Sequence, residues 1–184
     1  MSTIGEAGRW TVRRDEQYSE YVSERLPTLR RTAYLLCGDS HRADDIVQAA
    51  ITRLYLHWRK AQAADNLDAY VRRILVRTFL NEQRRAWISR VRLTGRPAET
   101  PTPPAPPGPD IETQELLRAA LQRVSPRQRA ALVLRFLCDL PVAEVAAQLG
   151  CSEGNVKSLT ANGLTALRRQ LGDRHPALAG GSES

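Results

Sequence analysis

The chain has 184 residues, with 27 Lys and Arg against 20 Asp and Glu, so its formal net charge is +7. This length fits one medium domain or two small ones, and the surplus of positive charge favours a polyanionic partner. The three cysteines form no CxxC pair and no histidine stands at metal-ligand spacing from them, which argues against a zinc site or any other cofactor. The polar N-terminus shows no signal peptide, and no apolar run approaches the roughly 20 residues of a membrane span. A cytoplasmic protein without a membrane partner is therefore expected.

The first half of the chain begins with a polar stretch and then turns helical. Residues 1–17 lack periodicity, which predicts a flexible lead. From Tyr18 the apolar residues recur at helical spacing, and Pro27 predicts a break or kink within that stretch. Residues 38–40, Gly-Asp-Ser, end this segment and offer N-cap residues for a second helix over about 41–58.

A third helix, predicted from about Leu67 to Trp87 or beyond, is strongly basic. Between Asp68 and Arg92 it carries seven Arg against one Asp and one Glu, a local charge of +5. A solvated basic face is the plain interpretation. The concentration of arginine on one amphipathic helix, with Asn81 among the arginines, instead favours a nucleic-acid face.

A proline-rich segment divides the chain. Seven of the 11 prolines lie between Pro97 and Pro109. That density excludes helix or paired strand over residues 94–111 and predicts a polyproline II linker that reaches on the order of 55 Å. Such a spacer holds two domains apart without fixing their angle. Since no stretch alternates with the two-residue period of a strand, the predicted fold is all-α with two small helical domains. The first domain is expected over residues 18–93 and the second over residues 112–171. Residues 172–184 are expected to form a flexible tail.

The stretch from Pro141 to Leu171 has the pattern of a helix-turn-helix. Gly150 stands where a helix C-cap needs left-handed backbone, and Ser152 follows as the N-cap of a second helix. Short polar side chains and one cation cover the outward face of that helix, which suits a helix end laid in a DNA major groove. An ordinary helical hairpin in a core is the alternative. Gly163, inside the second helix, costs about 1 kcal/mol relative to alanine and predicts a less rigid far half.

Four segments, taken in their order and spacing, carry a resemblance to a known family. They are RLPTLRRTAYLLCGDSHRADDIVQAAITRLYLHW, DAYVRRILVRTFLNEQRR, SPRQRAALVLRF and AEVAAQLGCSEGNVKSL. Together they resemble the bacterial sigma factors of the sigma-70 family, in particular the small extracytoplasmic-function (ECF) group of actinobacteria, over about residues 18–171. The resemblance implies a non-enzymatic subunit that binds core RNA polymerase, directs it to specific promoters and assists promoter opening.

The resemblance also implies where each partner binds. Docking on the β′ coiled coil of the polymerase is implied for Asp44, Asp45 and Gln48. Contact with the minus-ten element of promoter DNA is implied for Arg72, Arg73, Arg77, Asn81, Arg84 and Arg85. Contact with the minus-thirty-five element is implied for Ser152, Glu153, Asn155, Lys157, Ser158 and Thr160. The second domain is also expected to dock on the β flap, and an anti-sigma factor is a further candidate partner.

Some alternatives stay open on the sequence alone. Trp58, Tyr70 and Trp87 can stack on unpaired bases or pack in the core. For the whole chain, a stand-alone helix-turn-helix regulator explains the second domain but not the arginine helix, and it would bind closed duplex as a dimer without polymerase. A metal-dependent nucleic-acid hydrolase is disfavoured, because the carboxylates are scattered rather than clustered.

Overall fold

All regular structure in the described part of the chain is helical. The computed structural model describes the backbone of residues 4–94 and 109–172, and the side chains of residues 13–89 and 115–171. The elements are α1 (Ile4–Cys37), α2 (Ser40–Leu56), α3 (Trp58–Gln62), α4 (Leu67–Thr94), α5 (Pro109–Gln122), α6 (Pro126–Leu132), the π-helical segment π1 (Val133–Leu137), α7 (Val142–Leu149) and α8 (Glu153–Gly172). The predicted all-α fold is confirmed.

Most of the predicted linker and tail lies outside the described residues. The two ends of the linker differ from the prediction, because Thr94 still belongs to α4 and residues 109–111 already belong to α5. Pro109 is compatible with that helix start, since a first-turn proline lacks only an N–H that has no intrahelical partner there.

Helix α1 departs from the sequence prediction twice. Residues 4–17, for which a flexible lead was predicted, form its first turns, and it runs through the exposed Pro27 without a break. Tertiary contacts hold the early turns in place: the Tyr18 hydroxyl donates to the Ile51 carbonyl at 2.8 Å, and Arg14 donates to the Tyr55 hydroxyl at 3.1 Å. The single backbone hydrogen bond that proline removes is outweighed by the packing of the helix on either side of it.

Helices α1 to α4 enclose the first part of the core. The predicted second helix ends two residues early, at Leu56, where the His57 N–H bonds to the carbonyls of Arg53 and Leu54, and Trp58 begins α3. The Trp58 side chain is only 3% exposed and lies edge-on to Tyr18, with ring centroids 5.5 Å apart. It is therefore a core residue and does not stack on a base.

Helices α5 to α8 form the second helical unit, and serine side chains cap two of its helices. Ser125 caps α6 by accepting from the Gln128 N–H at 3.4 Å, and Ser152 caps α8 by accepting from the Asn155 N–H at 3.2 Å. Gly150 takes the predicted left-handed conformation at φ 63° between α7 and α8. The helix-turn-helix prediction is confirmed in the left-handed Gly150 and in the Ser152 cap.

Segment π1 was not predicted. The Cys138 N–H bonds to the Val133 carbonyl at 2.9 Å, five residues back, which widens the helix by one residue. Asp139 then adopts a positive φ of 51°, a conformation that a short polar side chain tolerates better than most.

The two helical units pack against each other instead of standing apart. One cluster of buried apolar residues runs continuously through both, from Leu29 in α1 to Val156 in α8. Helix α1 contacts α5 and α6, and helix α4 contacts α6 and α7. The linker's reach suggested separation with no fixed angle, but side-chain contacts between distant positions fix the angle in this structure.

Candidate polymerase and nucleic-acid interfaces

Helix α2 presents a polar face to solvent. Asp45 and Gln48 are exposed, whereas Ile46 and Val47 between them are buried, so the helix is positioned by its apolar side and leaves the polar side available. Asp44 is also exposed, but its carboxylate already accepts from Arg30 Nε at 2.9 Å.

One residue on the same face escaped the sequence analysis. Leu56 is 71% exposed and continues the line of Asp45, Gln48 and Thr52 along α2. The spacing of 3, 4 and 4 residues could have revealed it, but an apolar residue near a helix end is usually taken as core. A single exposed apolar side chain is common on protein surfaces, and Leu56 becomes a candidate contact only through its alignment with Asp45 and Gln48.

Helix α4 separates a basic face from a buried one. At about 100° per residue, Arg73, Arg77, Asn81 and Arg84 fall within about 80° of the helix surface, and all four side chains are exposed. Leu75, Val76 and Phe79 lie on the other side and are fully buried. Arg85 lies beside these four residues and is also exposed. We use the name basic strip for the five exposed side chains of Arg73, Arg77, Asn81, Arg84 and Arg85.

Arg72 does not belong to the basic strip. It points towards the second unit, where its Nη1 lies 3.1 Å from a carboxylate oxygen of Glu144 in α7. The sequence analysis grouped Arg72 with the other arginines because the sequence does not show that α7 packs against this side of α4.

The aromatic candidates for base stacking divide clearly. Trp58 is buried in the core and Tyr70 is half-buried against it, whereas Trp87 is 56% exposed on α4 beyond the basic strip. Of the three, Trp87 is the most exposed and is the strongest candidate for stacking on a base.

The start of helix α8 carries the second predicted DNA surface. Ser152, Glu153, Asn155, Lys157 and Ser158 are exposed there. Two hydroxyls are already engaged with the backbone: Ser158 donates to the Gly154 carbonyl at 3.1 Å, and the half-buried Thr160 donates to the Val156 carbonyl at 2.7 Å. Asn155 and Lys157 make no side-chain hydrogen bond or ion pair within the described part of the chain, so both retain their donors for DNA.

The described residues were also searched for a metal site, a reactive thiol and a membrane span. Among their side chains, no group of three or more His, Cys, Asp or Glu is placed to hold a metal ion. The Cys37 thiol is buried, and this burial raises its pKa to about 12, which keeps it protonated and unreactive near neutral pH. No helix in the described ranges is long and apolar enough to cross a membrane.

Comparison with known proteins decides the family. The model described as Sigma-70 region 2 matches residues 21–88, and the one described as Sigma-70, region 4 matches residues 114–167. The RNA polymerase sigma-E factor of Streptomyces coelicolor is 34% identical over 161 residues, which are 84% of this chain and 86% of that protein. The chain belongs to the sigma-70 family.

Two further relatives define this sigma factor more closely. The ECF RNA polymerase sigma factor SigE of Mycolicibacterium smegmatis is 31% identical over 84% of this chain and 61% of that protein. The solved sigma factor RpoE of Bartonella quintana, in complex with the anti-sigma factor NepR, matches with a TM-score of 0.70 and 25% identity over 85% of this chain and 97% of that chain. The predicted membership of the ECF group is confirmed, and with it a role in directing RNA polymerase to promoters. A stand-alone regulator is not favoured.

The two matched regions contain the surfaces described above. Region 2 of this sigma factor includes the polar face of α2 and the basic strip of α4, and region 4 includes the exposed start of α8. Its candidate polymerase and DNA contacts therefore lie on regular helices of both units.

Proposed function

We propose that this sigma factor binds core polymerase through α2 and grips promoter DNA at two points, through α4 and α8. The observation that carries the proposal is the exposure of two separate DNA-suited surfaces on one chain: the basic strip in region 2 and Asn155 with Lys157 in region 4. A sigma factor has to hold two promoter elements at once, and a single-site regulator does not.

On α2, Asp45 and Gln48 are the proposed contacts for the polymerase β′ coiled coil, with Asp44 beside them and Leu56 as an apolar addition. Charged and amide groups in an interface supply orientation and association rate, and an exposed apolar side chain such as Leu56 adds apolar area that leaves water on binding. Region 4 is proposed to dock on the β flap.

On α4, the basic strip is proposed to track the phosphates of the minus-ten element while Asn81 holds an unpaired base. An asparagine amide offers two donors and an acceptor to a base edge. Opening the duplex requires no catalytic residue in this scheme, because contacts with the captured single strand offset the lost stacking. The sigma factor therefore acts where polymerase and chromosome are, in the cytoplasm.

On α8, the exposed residues at the helix start are proposed to enter the major groove of the minus-thirty-five element. Lys157 can reach a guanine edge or a phosphate, and Asn155 can pair with an adenine. Ser152, Glu153, Ser158 and Thr160 complete the proposed set.

Run-off transcription tests the proposal. Core polymerase with the sigma factor, on a library of genomic fragments, is expected to yield discrete transcripts that core alone does not give. Complete failure over the whole library would refute it. A footprint on closed, palindromic duplex by the protein without polymerase would instead support the stand-alone regulator.

We further propose an anti-sigma factor as a third partner, because the Bartonella quintana sigma factor that matches across both regions is in complex with NepR. A purified candidate anti-sigma factor is expected to abolish the run-off transcripts in proportion to its concentration. Transcripts that persist at a saturating excess would reject that candidate.

A further inference from the structure

Arg53 of α2 is held against helix α4 by a hydrogen bond between side chains. Its Nη1 donates to the Thr78 hydroxyl at 2.7 Å, and that hydroxyl in turn donates to the Ile74 carbonyl at 2.8 Å. Because the Thr78 hydrogen is committed to Ile74, the lone pairs of the hydroxyl oxygen are left to accept from Arg53. Thr78 is only 7% exposed, whereas Arg53 is exposed to solvent. A buried hydroxyl of α4 therefore fixes a solvent-facing guanidinium of α2.

The charge of Arg53 is not neutralised by any residue that the structure describes. Four other arginines of the first helical unit each have a carboxylate oxygen within ion-pair distance, namely Arg14, Arg25, Arg30 and Arg72. Arg53 has no such partner in the described ranges, and the Thr78 oxygen that it bonds is neutral. A guanidinium carries five N–H donors, so Arg53 keeps its full charge and most of its donors for an external anion.

Arg53 lies between the polar face of α2 and the basic strip of α4. At about 100° per residue, Thr78 lies about 60° from Asn81 and about 20° from Arg85 around α4. The guanidinium that bonds Thr78 therefore extends the basic strip sideways onto α2, at the edge where Asn81 and Arg85 lie. On α2 itself, Arg53 lies about 60° from Leu56. The cation thus stands at the junction of the two surfaces.

We propose that Arg53 contacts a phosphate of the DNA strand whose unpaired base Asn81 holds, with Thr78 as its positioning residue. This assignment rests on the proposed function of α4. A DNA strand carries one phosphate per about 3.4 Å of duplex axis, and the three residues from Thr78 to Asn81 rise about 4.5 Å. A phosphate next to a base held at Asn81 therefore comes within reach of the guanidinium, which can donate two parallel N–H bonds to its oxygens.

The bond to Thr78 favours this contact by ordering the cation in advance. A long side chain that becomes fixed on binding loses rotamer freedom, at a cost of about 0.5–1.5 kcal/mol. Part of that loss has already occurred in Arg53, because Thr78 restricts its guanidinium before DNA arrives. Two other roles are available to Arg53: a tie that only joins α2 to α4, and a contact with polymerase beside Leu56. A tie needs a donor but no charge, and a polymerase contact would alter the affinity for core.

Arg53→Gln and Arg53→Lys separate the phosphate contact from a tie. Glutamine keeps an N–H donor for the Thr78 hydroxyl but loses the charge, whereas lysine keeps the charge. Holoenzyme binding is measured over a range of salt concentrations on a promoter recovered by run-off transcription and mismatched across its minus-ten element. Arg53→Gln is expected to bind on the order of tenfold more weakly. Its slope of log affinity against log salt should be shallower by about 0.7, the value for one single-strand phosphate, and Arg53→Lys should keep the parent slope.

Two arginine variants and a core titration are the controls. Arg13→Ala removes an exposed cation from α1, outside the residues that match region 2, and is expected to keep the parent slope. Arg73→Ala removes an exposed cation of the basic strip and is expected to make the slope shallower by about the same amount as Arg53→Gln. In fluorescence anisotropy, Arg53→Gln is expected to bind core polymerase as tightly as the parent.

Thr78→Val tests the positioning role. Valine keeps the branched shape and removes the hydroxyl, so Arg53 stays charged but is no longer held. The variant is expected to keep the parent salt slope and to bind roughly threefold more weakly, because the guanidinium must then be ordered on binding. Thr78→Ser restores the hydroxyl and is expected to restore the affinity. Parent affinity in Thr78→Val would overturn the positioning role.

The outcomes distinguish this contact from the proposed function. A parent slope in Arg53→Gln together with a shallower slope in Arg73→Ala would overturn the Arg53 contact and leave the proposed function standing. Weakened core binding that accounts for the whole loss in Arg53→Gln would also overturn it. Parent slopes in both variants would overturn the Arg53 contact and the proposed minus-ten contact of α4 together. A run-off library that yields no transcript would refute the proposed function, and this contact with it.

Discussion

Gly163 of α8 lies directly against Leu132 of α6. A Cβ atom on Gly163 would stand 2.9 Å from Leu132 Cδ1 and 3.1 Å from Leu132 Cγ. Leu132 is itself buried in the cluster that joins α5, α6 and α8, so a shift of its side chain would disturb the packing of that cluster. The glycine that the sequence marked as a weak point of α8 is the residue that lets two helices approach closely.

The substitution Gly163→Ala is therefore expected to destabilise the protein although alanine is the better helix former. The propensity gain is about 1 kcal/mol, and overpacking a filled core costs about 1–3 kcal/mol, so a net loss of up to about 2 kcal/mol is expected. Gly154→Ala is the matched control, because its Cβ would meet only the Ser152 hydroxyl at 3.9 Å. Urea unfolding measures both, and a stabilised Gly163→Ala variant would contradict this account.

Local features of the fold were predictable from the sequence, and distant contacts were not. The caps at Ser125 and Ser152 and the left-handed Gly150 depend on neighbours within a few positions. By contrast, the Arg129–Leu36 hydrogen bond joins residues 93 positions apart, and no periodicity encodes it. The break predicted at Pro27 is wrong for the same reason. The backbone hydrogen bond that proline removes is a local loss, whereas the packing that keeps α1 continuous comes from other helices.

The candidate site shows the same division. Exposure of Asp45, Gln48 and the basic strip follows from amphipathic spacing, which the sequence contains. The pairing of Arg72 with Glu144 depends on how two helical units meet. Burial of Trp58 and exposure of Trp87 likewise depend on tertiary packing, which is why the sequence left both roles open.

The double substitution Asp45→Ala/Gln48→Ala is expected to weaken binding to core polymerase on the order of tenfold. Both side chains are exposed, so the free energy of unfolding should change by less than about 0.5 kcal/mol. Fluorescence anisotropy of labelled sigma factor titrated with core measures the affinity. Glu20→Ala removes an exposed carboxylate from α1 and serves as the control. A double variant that binds core as tightly as this control would rule out the α2 face as the docking surface.

Asn81→Ala is expected to impair promoter opening more than initial promoter binding, because the amide is proposed to act only after a base has left the stack. Permanganate reactivity of unpaired thymines measures opening, and a filter-binding assay at low temperature measures initial binding. Gln83→Ala removes an amide from the same helix about 200° away around its axis and should affect neither. Equal permanganate reactivity in Asn81→Ala and parent complexes would argue against the proposed base contact.

Burial of Cys37 predicts a loss of stability at alkaline pH. Desolvation raises the pKa of its thiol from 9.0 to about 12 in the folded chain, so above pH 9 the unfolded chain releases the proton while the folded chain keeps it. The free energy of unfolding should then fall as pH rises from 9 towards 12, by about 1 kcal/mol at pH 9.5 from this group.

Urea unfolding of a Cys37→Ala variant checks the assignment to this thiol. The variant is expected to lose stability less steeply between pH 8 and pH 10 than the parent chain. Cys151→Ala, at a half-buried position, is the control and should keep the parent slope. The same pH dependence in Cys37→Ala and the parent would assign the alkaline loss to other groups, such as Tyr21, whose pKa burial and the Asp68 hydrogen bond also raise.

Lys157→Ala is expected to weaken promoter binding by the holoenzyme and to lower the slope of log affinity against log salt by about 1, because one phosphate-facing cation is lost. If the ammonium instead reads a guanine edge, the variant loses about 1–3 kcal/mol of discrimination at one base pair with little change in slope. Arg168→Ala removes an exposed cation from α8 about 16 Å further along the helix and is the matched control. A Lys157→Ala holoenzyme with the affinity, slope and base preference of the Arg168→Ala control would exclude the start of α8 as a DNA contact.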